Sequence, residues 1–233
     1  MKILCTICAR GGSSNLKNKN TKIINCNPLI AYTINIALKS KIFEDIIISS
    51  DSKKIINIAK KYGIKKYIYR SKKLSTDHSI KLDVIKDCFI KAEKMMNKKY
   101  DYICDLDVTS PLRTVNDLKN CSKIILKKNV TNLFSVTESR KNPYFNIIEK
   151  KNYGYKPVSK KSKFIYNRQQ APKVYDMNAS IYMWKRENLL KVSSIFQKNS
   201  AIYLMNNYCI DIDDINDFNY VKQIIENNKK WKI

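Results

Sequence analysis

Lys2-Ile3-Leu4-Cys5-Thr6-Ile7-Cys8-Ala9, running into Arg10-Gly11-Gly12-Ser13-Ser14-Asn15-Leu16-Lys17-Asn18-Lys19-Asn20, is the stretch on which the fold turns. Its first part is a short apolar run of the kind that forms a buried strand. Its second part is a polar loop carrying two of the chain's four glycines. A helical pattern from Pro28 to about Lys39 follows, so the chain opens as a β-loop-α unit. The β-branched run Asp45 to Ser50 and the helical spacing of Ile55, Ile56 and Ala59 within Ser52 to Tyr62 repeat that unit. Further along, Lys66 to Tyr69 reads as a third short strand and Ser79 to Met96 as a long helix. Tyr100 to Asp107 reads as a buried strand, Leu118 to Leu126 as a helix and Asn132 to Thr137 as a strand. Such alternation predicts a doubly wound α/β fold, a mostly parallel sheet covered on both faces that binds ligands at the carboxyl ends of its strands.

Between about Arg140 and Met177 the alternation stops and Lys, Asn, Tyr and Pro dominate, which predicts a small inserted arm. Ala179 to Trp184 resumes a strand, Tyr208 to Asp213 is expected to be another, and Ile215 to Glu226 closes the chain as an amphipathic helix. A length of 233 residues suits one domain spanning 1–233, with the arm at 140–177 and one active site.

The longest apolar runs span only a few residues, far short of the roughly 20 needed to cross a bilayer. The first residues lack a signal-peptide pattern, so a cytoplasmic protein without membrane partners is expected. The seven cysteines are odd in number and mostly lie in apolar segments, which suits reduced core thiols. Cys5 and Cys8 fall on opposite faces of a strand, and nothing completes a zinc site with them. A formal charge of +25 invites a nucleic-acid reading. However, only six of the 45 basic residues are arginine, and the lysines spread along the chain among abundant Asn and Ile. No specific nucleic-acid partner is expected, although the field favours anionic small molecules.

In the glycine-bearing loop, adjacent glycines let backbone N–H groups approach a polyphosphate, and Arg10 and Lys19 supply positive charge for a departing pyrophosphate. A plain surface turn has the same composition, and neither a P-loop nor a dinucleotide fingerprint is present. Asp211 and Asp213 lie two apart at a predicted strand end, which points both carboxylates to one side and suits a divalent cation. Asp214 and Asp217 read as caps of the following helix. The single histidine, His78, lacks the partners of a hydrolase triad.

The loop resembles the A-R-G-G-S-x-x-[LI]-x-x-K-N signature of the acylneuraminate cytidylyltransferases, the CMP-sialic acid synthetase family. Five further segments match in order: Leu74 to Ser79, Thr109 to Thr114, Arg168 to Pro172, Asn178 to Tyr182, and Ile210 to Asp213. Together they span nearly the whole chain. The resemblance implies a Rossmann-like nucleotidyltransferase fold whose inserted lobe serves dimerisation, with a homodimer in which the arm reaches the neighbouring site. It implies a reaction of CTP with an acidic nine-carbon sugar, feeding cell-surface glycan biosynthesis. Nucleotide contacts would come from Arg10, Gly11, Gly12, Ser13, Lys19, Asn20 and Ser79. The cofactor would be Mg²⁺, with Mn²⁺ as the alternative, on Asp211 and Asp213. Arg10, Lys19 and Asp211 would carry the catalysis, while Asp107, Arg113, Arg168, Gln169, Asn178 and Tyr182 would contact the sugar.

Two departures bear on the substrate. Where many sialic acid enzymes read Leu-Gln-Pro-Thr-Ser-Pro, this chain reads Asp105-Leu106-Asp107-Val108-Thr109-Ser110, so that Asp107 stands for a neutral sugar-contacting glutamine and could bind a second metal or a differently decorated sugar. Ala179 stands where glycine is usual. The Asp-Leu-Asp variant resembles the legionaminic acid branch. The alternatives are a CMP-Kdo-type synthetase acting on an eight-carbon sugar acid and a non-catalytic, basic RNA-binding protein.

Overall fold

The computed structural model describes residues 1–127, 130–159, 165–206, 209–231 and 233. Its centre is a seven-stranded sheet. The strands in chain order are β1 (Ile3–Cys8), β4 (Asp45–Ser50), β5 (Tyr67–Tyr69), β6 (Tyr102–Leu106), β7 (Asn132–Glu138), β10 (Tyr175–Lys185) and β11 (Ser200–Leu204). They lie in the spatial order β11-β7-β10-β6-β1-β4-β5. β1 pairs in parallel with both β4 and β6, whereas β10 runs antiparallel to β6 and β7. Outside it, β2 (Ile23–Ile24) and β3 (Asn27–Pro28) form a hairpin across Asn25 and Cys26, both at positive φ as a tight hairpin turn requires.

Alternation along β1 divides the core in two. Ile3, Cys5 and Ile7 face one side, where they pack with residues of α1 (Leu29–Ser40), α2 (Lys53–Lys61), α4 (Val115–Ile125) and α6 (Ile215–Asn227). Leu4 faces the other, with Ile85, Cys88 and Phe89 of α3 (Lys81–Met96) and Leu189 of α5 (Arg186–Lys191). Helices therefore cover both faces, as the alternation predicts. Capping explains several of their starts: Ser52 accepts from Ile55 N–H at α2, and Thr114 with Asp117 closes a capping box at α4. No helix among the described residues is long and apolar enough to cross a membrane.

Two expectations are corrected. The segment 209–213 is not a strand; the sheet edge is supplied by Ser200–Leu204, pairing in parallel with β7, and Tyr208 lies outside the described residues. Ile212 instead buries its side chain and donates its N–H to Thr109 O at 2.9 Å, which holds the segment over the end of β6. The second correction concerns β10, which begins at Tyr175, four residues before Ala179, so the end of the expected arm belongs to the sheet. The register breaks between Met177 and Tyr182, and Ala179 adopts φ 50 within that bulge. A left-handed φ favours glycine, which gives a backbone reason for the glycine usual at this place. Within 140–177, β8 (Ile148–Lys151) and β9 (Gly154–Pro157) form a separate two-stranded sheet.

Candidate active site

The chain leaves β1 toward β4 on one side and toward β6 on the other, so the loop after β1 lies where the winding reverses. Ligands of open α/β sheets bind at such a point, beyond the carboxyl ends of the strands. A cavity of about 300 Å³ opens there. Its walls carry Arg10, Gly12, Ser13, Lys19 and Asn20 from the loop after β1, and Arg70 follows β5. Asp107 and Thr109 follow β6; Asp77, Ser79 and Lys81 precede or begin α3; Asp211 and Asp213 precede α6.

Nine of the residues expected in the site are thereby brought together: Arg10, Gly12, Ser13, Lys19, Asn20, Ser79, Asp107, Asp211 and Asp213. Asn20 is held by donation from Nδ2 to Arg10 O at 2.9 Å, while its buried Oδ1 has no hydrogen-bond partner among the described residues. Lys19 Nζ donates to Ile212 O at 2.6 Å and lies 3.4 Å from Asp213 Oδ1, tying the first loop to the acidic segment. Arg10 is paired with Asp77.

Gly11 plays a different part from the one expected. Its N–H donates to Asp51 Oδ1 at 2.8 Å and is already committed within the protein. An added Cβ there would meet Ser52 Cβ at 2.9 Å, at the cap of α2. We expect Gly11→Ala to lower stability by about 1–3 kcal/mol through overpacking, read as a lower urea midpoint at unchanged slope.

Five residues expected to touch the sugar are placed elsewhere, or beneath the cavity lining. Arg113 is fully buried, donating from Nε to Ser180 Oγ at 2.9 Å, from Nη1 to Thr33 Oγ1 at 3.2 Å, and from Nη2 to Asp107 O. A guanidinium spent this way ties α1, β6 and β10 together and does not face the cavity. Asn178 is also buried, its Oδ1 accepting from Ser135 Oγ at 2.6 Å while Nδ2 lacks a partner among the described residues. Tyr182 is buried and stacked on Trp184. Arg168 donates to Ser139 O at 3.3 Å and, like exposed Gln169, does not line the cavity.

Arg70 and Lys81 were not legible as site residues, although each leaves a trace. Arg70 directly follows a strand, where a parallel sheet presents its ligand-binding groups. Lys81 begins α3, where the helix dipole disfavours a cation, so acidic partners are implied. It has them: Lys81 is paired with Asp107, lies 3.8 Å from Asp105 Oδ2, and stands 4.4 Å above the Tyr182 ring. Burial opposes the charge of Lys81, but Asp107 and Asp105 hold its ammonium above the ordinary lysine range. Burial likewise opposes ionisation of Asp107, and Lys81 with the Thr109 donors overrides it, bringing that carboxyl down to about 2. Buried Asp105 shifts upward, since burial outweighs Lys81 and the Thr6 hydroxyl that donates to it at 2.7 Å.

Asp211 shows the opposite imbalance. Burial pushes its carboxyl up, and the negative charges of Asp107 and Asp213 push in the same direction. Its buried Oδ1 has no hydrogen-bond partner among the described residues. An orphaned carboxylate oxygen among like charges fits a divalent cation, which prefers oxygen ligands. No three His, Cys, Asp or Glu side chains among the described residues gather into a closed metal cluster. A cation such as Mg²⁺ takes one or two protein carboxylates and completes its shell with water and phosphate. Asp214 and Asp217 cap α6 as expected, which leaves Asp211 and Asp213 outside that capping box.

A doubly wound sheet with a cationic loop and an acidic pair meeting over its switch point defines a nucleotide-handling enzyme of the nucleotidyltransferase class. The cytidylyltransferase family profile matches residues 4–231, and the chain belongs to that family. It is 41% identical over 225 residues to a CMP-N,N'-diacetyllegionaminic acid synthase of Campylobacter jejuni, covering 96% of this chain and 95% of that one. It is likewise 41% identical over 226 residues to the post-translational flagellin modification protein B of Campylobacter coli, covering 97% and 95%. A solved structure of CMP:2-keto-3-deoxy-manno-octonic acid synthetase complexed with CTP shares the fold, with a TM-score of 0.72 at 15% identity over 97% of this chain and 99% of that one.

Proposed function

We propose that this enzyme transfers the cytidylyl group of CTP to a nonulosonic acid of the legionaminic type, releasing pyrophosphate and giving the CMP-sugar. One observation carries the reading: Arg10 and Lys19 converge on a single cavity at the switch point with Asp211, whose buried Oδ1 has no hydrogen-bond partner among the described residues. The 41% identity to the legionaminic acid synthase supports that sugar over the eight-carbon acid named in the more distant structure.

The anomeric hydroxyl oxygen of the sugar attacks the α-phosphorus of CTP. A phosphorus–oxygen bond forms as the bond to the bridging oxygen of the β-phosphate breaks, that oxygen departs with the electron pair as pyrophosphate, and the hydroxyl proton is lost to water. Arg10 and Lys19 offset negative charge on the phosphoryl oxygens, most strongly as the leaving group gains charge. Asn20 offers a preformed acceptor, Oδ1, to a donor on the nucleotide. Asp211 and Asp213 would hold Mg²⁺, which supplies charge stabilisation and phosphate orientation when bound. Formation of the CMP-sugar, detected by mass spectrometry from CTP and a legionaminic acid but not from the other nucleoside triphosphates, tests the assignment. Product from UTP or ATP at a similar rate would overturn it.

The reaction draws on the cytoplasmic CTP pool, and we place the protein in that compartment. We further propose a homodimer joined through the arm. The β8–β9 hairpin exposes Ile148, Tyr153 and Tyr155 together, an apolar surface suited to a second copy. Arg168 and Gln169 lie outside their own cavity, which fits side chains that serve a neighbouring copy. Sedimentation at assay concentration is expected to show a dimer; a fully active monomer would remove this part of the reading.

A further inference from the structure

Lys81 meets the cavity from the first turn of α3, over the carboxyl end of β6. Its ammonium stands 4.4 Å above the Tyr182 ring and is fixed from one side by Asp107 and Asp105. Asp107 is itself fixed, since its Oδ1 accepts from Thr109 N–H at 3.2 Å and from Thr109 Oγ1 at 3.0 Å. Asp105 is fixed by Thr6 at 2.7 Å. An ammonium has three donors, and the single hydrogen bond to Asp107 leaves capacity on the open side, where 31% of the side chain is exposed. The charge of Asp107 is thus already matched by a cation of the protein.

Position along the sheet separates this group from the cations of the β1 and β5 loops, though not from Asp211 and Asp213, whose segment Thr109 holds over the end of β6. Arg10, Gly12 and Ser13 follow β1, and Arg70 follows β5, whereas Lys81 and Asp107 lie over β6, beside β10. We propose that Lys81 is a substrate-binding residue, whose ammonium, oriented by Asp107 and Asp105, donates to an oxygen of the acidic sugar and makes the Lys81–Asp107 pair a determinant of sugar choice. This rests on the reaction proposed above. It gives a physical role to the departure at Asp107: the aspartate orients a donor instead of acting as one.

Steady-state kinetics with CTP and the best nonulosonic acid test the inference, using Lys81→Met, Asp107→Asn and the double variant. Methionine keeps an unbranched side chain of similar length without the charge, and the double variant removes the unpaired Asp107 charge that could by itself disturb folding. Loss of a charge-assisted hydrogen bond predicts that Lys81→Met raises KM for the sugar acid about tenfold or more, with KM for CTP within about twofold. Because Lys81 touches the substrate itself, adding Lys81→Met to Asp107→Asn still raises that KM by about tenfold. If Lys81 merely neutralised Asp107, the second substitution would change nothing in the Asp107→Asn background, and the inference would be overturned. A parallel rise in KM for CTP would overturn it as well. Wild-type turnover with an unaffected Lys81→Met variant removes this inference alone, whereas a wild type silent with every nonulosonic acid removes the reaction and the inference together.

Discussion

Asp211→Asn is expected to lower kcat for cytidylyl transfer by on the order of 10³-fold, the cost of removing a principal electrostatic group from the reacting centre. The substitution keeps the shape of the side chain and removes its charge. It leaves the α6 capping box intact, because Asp214 and Asp217 make it without Asp211. Urea unfolding should therefore show a native-like protein, and even a slightly stabilised one, since burial and the neighbouring Asp107 and Asp213 disfavour the Asp211 charge. The sign follows from the linkage: a carboxyl raised above its unfolded value costs stability at pH 7, and that cost disappears as pH falls through the unfolded value. A variant that is stable and inactive assigns Asp211 to function; one that is unstable and equally active assigns it to structure.

Arg10→Ala is expected to reduce kcat/KM for CTP by about 10²–10³-fold, the range for losing one charged group on a developing negative charge. Arg10 follows β1 at the switch point, and its present partner Asp77 lies on the cavity wall beside it. A triphosphate would compete with one carboxylate for that guanidinium and carries the greater charge. The loss should fall on CTP, with KM for the sugar acid largely unchanged. The reverse split would place Arg10 on the sugar.

The route from sequence to this site was uneven, for physical reasons. Strands buried on both faces and helices with caps announced themselves by periodicity, which is why Asp45–Ser50 and Lys53–Lys61 emerge within a residue of their expected bounds. Ser200–Leu204 did not, because this edge strand is only partly buried and lacks clean alternation. Ile210 to Asp213 carries the alternation of a strand yet spans from the sheet to α6, with Ile212 anchored by Thr109. Arg113 shows the limit of reading residue type alone: an arginine in a turn after a strand suits a carboxylate ligand, but here three acceptors within the fold claim it. Lys81 was hidden in a crowd of 45 basic residues, and only its burial against Asp105 and Asp107 separates it from the solvated ones. The same crowd explains why net charge alone pointed toward nucleic acid. The cations at Arg10, Lys19, Arg70 and Lys81 matter because they converge on one cavity.

Pyrophosphate release from CTP and Mg²⁺, with legionaminic acid, N-acetylneuraminic acid and Kdo offered separately and Asp211→Asn run alongside, tests the central claim most directly. The account predicts fastest turnover with legionaminic acid, slower or no turnover with the other two, and a signal that vanishes in the variant. Turnover with Kdo alone, or a rate that Asp211→Asn leaves unchanged, would contradict it.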